Sequence, residues 1–356
     1  MKHKYNKQRS FGYDKNGKRI IKWFHADSIK DLERQVENYR MKLQFTPNAT
    51  NIRFYDYAMQ WVKAYKGNRS RQTQDMYVYA IKRCEPIYDI PITKLTKTHC
   101  QNCISLCWDH PRQAQNVANT LKQIFSTAIA DGVILRNPAL NLDMPKRYRK
   151  PFHLLTESEL EGLKRAELNA QDRMFVTILR TFGLRPGEAL ALTVQDFDFG
   201  SNTLNITKSL ELSNDNKSRV KSTKTCINRQ IPIPMPLAPV LRSYFADIRG
   251  FLLFTNKNNT YHTKSSYRRM SERILKAWNI ALGGDDSFNL LPDVTLYSFR
   301  HRRATELFYL TQKNVISVLK ASELMGHSVN VFLGNYSHID ESQEKLQDIY
   351  QSVTNL

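Results

Sequence analysis

The stretch from Val294 to His338, VTLYSFRHRRATELFYLTQKNVISVLKASELMGHSVNVFLGNYSH, constrains this chain more than any other. Arg300 stands at the front of one helical run, Gly326-His327 closes a second, and Tyr336 follows nine residues after His327. An arginine, a histidine and a late tyrosine in this order suit a phosphate clamp beside a hydroxyl nucleophile. A guanidinium keeps its charge and binds two oxygens at once. Taken singly, such residues are more often surface or core positions. Here a second arginine box, TFGLRPGEALALTVQDFDF from Thr181 to Phe199, lies about 115 residues upstream of Arg300, with a lysine in a predicted hairpin between the two.

These pieces resemble the tyrosine recombinases, the integrases of temperate phages and integrative elements. The matching residues are GLRPGEALALT around Arg185, STKTCINRQIPIP around Lys224, YSFRHRRAT around Arg300, LMGHS around His327 and NYSH around Tyr336. They stand in the family's order, and the resemblance runs most closely from about Thr156 to Ile339. It implies a multidomain, mainly α protein. A small β-hairpin and helix module is expected at residues 1–45, an all-helical core-binding domain at 52–144, and an α+β catalytic domain with a small antiparallel sheet at 152–356. It also implies a site-specific DNA recombinase that integrates or excises a mobile element, viral or conjugative, as a tetramer on two duplexes. Double-stranded attachment sites, core and arm, are then the partners, with DNA-bending or excisionase proteins as accessories. No cofactor and no metal are expected.

By the same resemblance, Arg185 and Arg300 hold the two non-bridging oxygens of the scissile phosphate, and Tyr336 attacks phosphorus to give a 3′-phosphotyrosine. The covalent link conserves the bond energy, so rejoining needs no ATP. A hairpin lysine protonates the leaving 5′ oxygen; Lys224 aligns best, and Lys221 is the alternative. His327 matches a histidine that hydrogen-bonds the phosphate, and Glu188 orients its neighbours. Tyr309 and Tyr350 lie in the same C-terminal region, but only Tyr336 has Gly-His upstream at the family's interval. One departure stands out. The family has His-x-x-Arg where this chain has Tyr297-Ser298-Phe299-Arg300. A tyrosine is a poor base near neutral pH. Either Tyr297 orients the reactants without taking a proton, or His301 reaches in. A helix turns residue 301 about 100° from residue 300, which favours the first.

The two-metal alternative finds no carboxylate cluster: Asp196 and Asp198 end the run after Arg185, and Asp285-Asp286 sits in a predicted loop. Positive charge must then come from side chains. Net charge is +20, and it is concentrated early. Residues 1–50 carry twelve Lys and Arg against five Asp and Glu, residues 51–150 sixteen against seven, and the remainder twenty-five against twenty-one. Such a distribution suits modules that grip nucleic-acid backbone, although a basic surface also serves solubility. At 356 residues the chain is long for one core. No run approaches 18 apolar residues, and the N-terminus lacks a signal peptide's apolar segment. Five cysteines without framework spacing point to a reducing cytoplasm.

Taken in order, Lys15-Asn16-Gly17-Lys18 between two β-prone runs predicts a hairpin. Asp27 or Ser28 then caps a helix over Ile29 to Leu43. Lys15, Lys18, Arg19 and Lys22 are candidate arm-site contacts on that module, which otherwise is a structural cap. Helices are expected at Phe54–Lys66, Ser70–Glu85, Thr98–His110, Arg112–Asp131 and briefly before Pro138. Lys63, Lys66, Arg69, Arg71 and Arg112 are candidate phosphate contacts there, with Arg147 and Arg149 in a basic linker. His99, Cys100, Cys103, Cys107 and His110 mimic a metal cluster, but the cysteines fall at i, i+3, i+7, the apolar stripe of one helix. In the last domain, Thr156 and Glu159 form a capping box, helices cover Gln171–Phe182, Leu237–Ile248 and Ser265–Leu282, and strands cover Thr203–Leu212, Arg229–Pro234 and Phe251–Thr255. Lys217–Thr225 is expected as a basic connection. Helices carry Arg300, His327 and Tyr336, and an amphipathic tail, Glu341–Val353, docks on a neighbour or on its own domain. A type IB topoisomerase-like enzyme and a non-catalytic DNA-binding regulator are the rival readings.

Overall fold

A computed structural model describes residues 5–13, 19–44, 52–148, 153–222, 228–248 and 250–340. It divides into two compact units, Met1–Arg149 and Lys150–Leu356. In the first, β1 (Tyr5–Tyr13) and β2 (Arg19–Ala26) pair antiparallel, Tyr5 opposite Ala26 and Ser10 opposite Ile21. The expected Asn-Gly turn lies outside the described residues. Phe24 and Ala26 are buried against Leu32 of α1 (Ile29–Gln44), and the Phe11, Phe24 and Tyr39 rings meet edge to face. Ser28 caps α1, its Oγ accepting from the Asp31 N–H at 3.1 Å.

A separate helical core follows, built from α2 (Phe54–Lys66), α3 (Arg71–Lys82), α4 (Lys97–Ser105) and α5 (Pro111–Ala130). Its apolar residues recur at helical spacing, as in Ala114, Val117, Leu121, Ile124, Phe125 and Ala128 of α5, all buried. Cys84, Cys100, Cys103 and Cys107 are free thiols inside this core. His99 is engaged in the capping box of α4, receiving the Thr96 N–H at its Nδ1. The helix expected to reach His110 stops at Ser105, and Pro111 opens the next one, where its missing N–H costs nothing. No helix forms before Pro138. Asn137 instead folds its side chain back, accepting from the Ala139 N–H at 2.9 Å and donating to the Lys122 carbonyl at 2.9 Å.

The second unit begins with α6 (Glu157–Arg165). The Thr156 N–H donates to Glu159 Oε2 at 2.7 Å, and the Glu159 N–H returns to Thr156 Oγ1 at 3.2 Å. Thr156→Ala is expected to cost about 1 kcal/mol and lower the melting temperature by about 2–4 °C, read in thermal melts. α7 (Ala170–Phe182) and α8 (Pro186–Leu190) follow. Next, β3 (Phe197–Asp198) and β4 (Thr203–Ile206) lead into a ribbon of β5 (Lys208–Leu212) and β6 (Ser218–Ser222), after which β7 (Arg229–Pro232) completes a sheet of order β3-β4-β7. The single strand expected over Thr203–Leu212 is therefore two strands in different sheets. Ser218–Ser222 is likewise a strand and not a connection. Asp215 tightens the intervening turn by accepting from the Lys217 N–H at 3.2 Å and from the side chain of Arg219, four residues on in β6. Phe251–Thr255 is not a strand: only Leu252 bridges, opposite Thr193.

The unit is completed by α9 (Leu237–Ala246), α10 (Lys264–Ala281), α11 (Ser298–Gln312), α12 (Val318–Met325) and α13 (Val329–Asp340). Trp278 of α10 stacks on Phe299 of α11 at 5.5 Å and donates its indole N–H to the Glu159 carbonyl at 2.7 Å. A smaller cluster of Ala304, Leu307, Phe308, Ala321, Met325 and Phe332 ties α11, α12 and α13 together. The architecture is mainly helical with small antiparallel sheets, as the sequence implied. Among the described residues no helix is long and apolar enough to cross a membrane.

Candidate active site

Two helix ends build the site. α7 stops at Gly183, whose φ of 62° is left-handed and whose N–H returns to the Leu179 carbonyl. The chain then turns through Leu184 and Arg185 to Pro186, the first residue of α8. Glu188, in the first turn of α8, reaches back. Its Oε2 accepts the Arg185 N–H at 3.1 Å and its Oε1 accepts Arg185 Nη1 at 2.7 Å.

α12 stops in the same way, at Gly326 with φ 60°. Its last carbonyls have no partner inside the helix and carry the negative end of its dipole. Three consecutive ones each receive a different arginine. Leu324 accepts from Arg229 Nε at 3.1 Å, Met325 from Arg300 Nη2, and Gly326 from Arg185 Nη2 at 3.2 Å. Arg300 also donates through Nη1 to the Gly183 carbonyl at 2.7 Å, so it joins both helix ends. Burial of Phe299 under Trp278 fixes the first turn of α11 that delivers it.

Beneath Arg185, Glu188 makes a second ion pair, to Arg229 at 2.6 and 3.3 Å, both side chains being 1% exposed. Burial alone would raise the Glu188 pKa, but the hydrogen bonds and charge of Arg229, helped by Arg185 and Arg300, hold it down to about 2. Arg300 is pushed down to about 10 by burial and then by Arg185, and stays charged at neutral pH. Burial, with Arg300, Arg185 and Arg229, pushes His327 down to about 3, so its ring is neutral. The His327 Nε2 accepts from Arg300 Nη2 at 2.8 Å. That bond assigns the ring proton to Nδ1. His327 Nδ1 and Arg300 Nε have no partner among the described residues. Three guanidiniums around one carboxylate suit an anion. Among the described residues no group of three His, Cys, Asp or Glu side chains converges as metal ligands.

The residues singled out by sequence fall as follows. Arg185, Glu188, Arg300 and His327 come together. His327 is not on a helix as expected but just past Gly326, because the glycine stops α12 one residue earlier. α13 starts two residues later and carries Tyr336 in its backbone, anchored by buried Phe332. Lys224 lies outside the described residues. Lys221 sits on β6 with its Nζ 3.4 Å from buried Glu211. Tyr297 precedes α11, is 38% exposed, and meets the His301 ring edge to face at 5.0 Å. Burial and Arg300 lower the His301 pKa. Arg229 was not foreseen.

Of the candidate DNA contacts, Lys63, Arg69, Arg112 and Arg147 are exposed, and Arg71 is exposed while pairing with Asp75 at 3.2 Å. Lys66 turns inward over the Trp61 and Tyr77 rings and donates to Gln123. Arg19 donates to Ser10 at 2.9 Å, and Lys22 lies over the Tyr39 ring at 4.1 Å. Lys15, Lys18 and Arg149 lie outside the described residues.

Residues 154–343 match the model of the phage integrase family. The tyrosine recombinase XerC-like protein of Caldanaerobacter subterraneus subsp. tengcongensis is 23% identical over 392 residues, covering 96% of this chain and 95% of that protein. Tyrosine recombinase XerD of Oceanobacillus iheyensis is 21% identical over 267 residues, covering 73% and 82%. Among solved structures, the Tn1549 transposon integrase in complex with transposon right end DNA superposes with a TM-score of 0.68 at 20% identity, covering 84% of this chain and all of that one. A lambda integrase tetramer bound to a Holliday junction gives 0.60 at 16% identity, covering 90% and 92%. With a family match over more than half its length, this chain belongs to the phage integrase family and is a tyrosine-type site-specific DNA recombinase.

Proposed function

We propose that this recombinase cleaves DNA through Tyr336. The Tyr336 phenol gives its proton to water, its oxygen bonds to phosphorus, the bond to the 5′ oxygen breaks, and a 3′-phosphotyrosine results. The carrying observation is the convergence of Arg185, Arg300 and His327 on the end of α12, immediately ahead of the helix that holds Tyr336. Arg185 and Arg300 bind the non-bridging oxygens and offset the charge of the pentacoordinate transition state. Neutral His327 donates through Nδ1. Lys224 gives its proton to the leaving oxygen, since Lys221 is held on Glu211. Tyr297 orients the reacting groups. Rejoining reverses the same steps with a 5′ hydroxyl as nucleophile.

The partners in this reading are duplex attachment sites and further copies of the same chain. Support comes from the solved relatives, which include an integrase on transposon end DNA and a tetramer on a Holliday junction. The basic residues 1–45 form the arm-site module, 52–144 the core-site clamp and 152–356 the catalytic domain, acting as a tetramer to integrate or excise a mobile element. Exposed Lys63, Arg69, Arg71, Arg112 and Arg147 contact phosphates, while Lys66 supports its domain from within.

The test uses nicked attachment-site duplex, purified protein and EDTA, followed by a denaturing gel. Wild type is expected to give a covalent protein–DNA band and Tyr336→Phe none. A band that persists in Tyr336→Phe moves the nucleophile elsewhere.

A further inference from the structure

We infer that Arg229 is a positioning residue for strand cleavage, holding Arg185 through Glu188. This rests on the reading of Arg185 and Arg300 as the phosphate clamp. Arg229 commits all three guanidinium nitrogens to Glu188 and the Leu324 carbonyl, whereas Arg300 Nε has no partner among the described residues and the Arg185 side chain is 18% exposed, so it is these neighbours and not Arg229 that a bound phosphate reaches. Its donors divide between the site's two fixed points. Nη1 and Nη2 go to Glu188, and Nε goes to the Leu324 carbonyl at the end of α12.

The charge arrangement explains why a third arginine is needed. Glu188 orients Arg185 by taking its Nη1 and its backbone N–H. Alone, that carboxylate would cancel much of the positive charge that Arg185 presents. Arg229 supplies the counter-charge from the buried side, so Glu188 fixes the direction of Arg185 while the cluster keeps a net positive charge. Without Arg229, Glu188 is free to rotate. Arg185 then keeps one further contact among the described residues, the Gly326 carbonyl at 3.2 Å. Arg229 is also the first residue of β7, and β6 ends at Ser222.

The experiment compares two nicked duplexes in single-turnover cleavage, one with an ordinary scissile phosphodiester and one with a neutral methylphosphonate there. Variants are Arg229→Gln, Arg229→Lys and Tyr336→Phe, with DNA affinity and melting temperature measured for each. If Arg229 acts by placing positive charge on the phosphate, Arg229→Gln slows the phosphodiester reaction about a hundredfold yet leaves the methylphosphonate rate within about threefold of wild type. Arg229→Lys recovers part of the phosphodiester rate. Equal losses on both substrates, in a variant that folds and binds DNA, overturn the inference and leave Arg229 as scaffold. A wild-type protein that forms no adduct on either duplex, or an adduct that survives Tyr336→Phe, instead overturns the underlying site reading and this inference with it.

Discussion

Arg300→Ala is expected to slow formation of the covalent adduct about a hundred- to thousand-fold, the usual cost of removing one preorganised charged donor from a transition state. The geometry adds a structural component. The Gly183 and Met325 carbonyls and the His327 ring all receive N–H groups from this one guanidinium. Each buried acceptor left without its donor costs about 1–3 kcal/mol, so the melting temperature falls as well. Arg300→Lys keeps a charge, but one ammonium cannot span both helix ends, and it should recover little of the rate. Single-turnover cleavage of a nicked duplex, with thermal melts of each variant, checks both parts. A rate within about tenfold of wild type in Arg300→Ala would remove this residue from the reaction.

Acidification is expected to destabilise the catalytic unit in two stages. His327 titrates near 6.5 when unfolded and near 3 when folded, so below pH 6.5 the unfolded chain takes up a proton that the folded one refuses. Stability then falls with pH, by at most about 1.4 kcal/mol per unit and less here because the half-buried ring is partly screened by water. Glu188 follows. Its folded value of about 2 lies below the ordinary 4.5, so its contribution is complete above 4.5 and is lost as pH drops towards 2. That contribution is about 3 kcal/mol. Glu188→Gln should cost about 3–5 kcal/mol already at neutral pH, because Arg229 is left as a buried charge without its partner. Denaturant melts between pH 7 and 3 test this. His327→Asn should flatten the upper stage and Glu188→Gln the lower. Variants with the wild-type pH slope would refute the electrostatic account.

Arg185, Glu188, Arg300 and His327 were singled out by their resemblance to the recombinase motifs, and local turn signals account for where the fold puts them. Arg185 lies inside the Gly-x-x-Pro turn of residues 183–186, Glu188 follows two residues after its proline, and His327 follows a glycine that stops a helix, so each is placed by its neighbours. Arg229 was not, since its partner Glu188 is 41 residues away and only the folded chain joins them. A signal was nonetheless present. Arg229, Ile231 and Ile233 alternate with polar or proline residues, and the first two strand positions of that face are buried. A period of two thus places an arginine on an apolar face, where it needs a carboxylate. The misread strands have a different origin. Thr203–Leu212 is continuous in propensity, but β4 pairs with β7 whereas β5 pairs with β6, and a choice of partner is not written in one segment's composition. The first unit was read better, because its helices carry their own apolar periodicity and caps.

The arginines of the site recognise the main chain of α12 and none of its side chains. Mutational tolerance along residues 318–326 should therefore be unusual for so central an element. Exposed positions such as Leu319 and Lys320 are free to vary, and selection bears on the helix's length, its register and the left-handed turn at Gly326. Inserting or deleting one residue there would shift all three carbonyls away from their donors together, so an indel in this helix should be far more damaging than any exposed substitution within it.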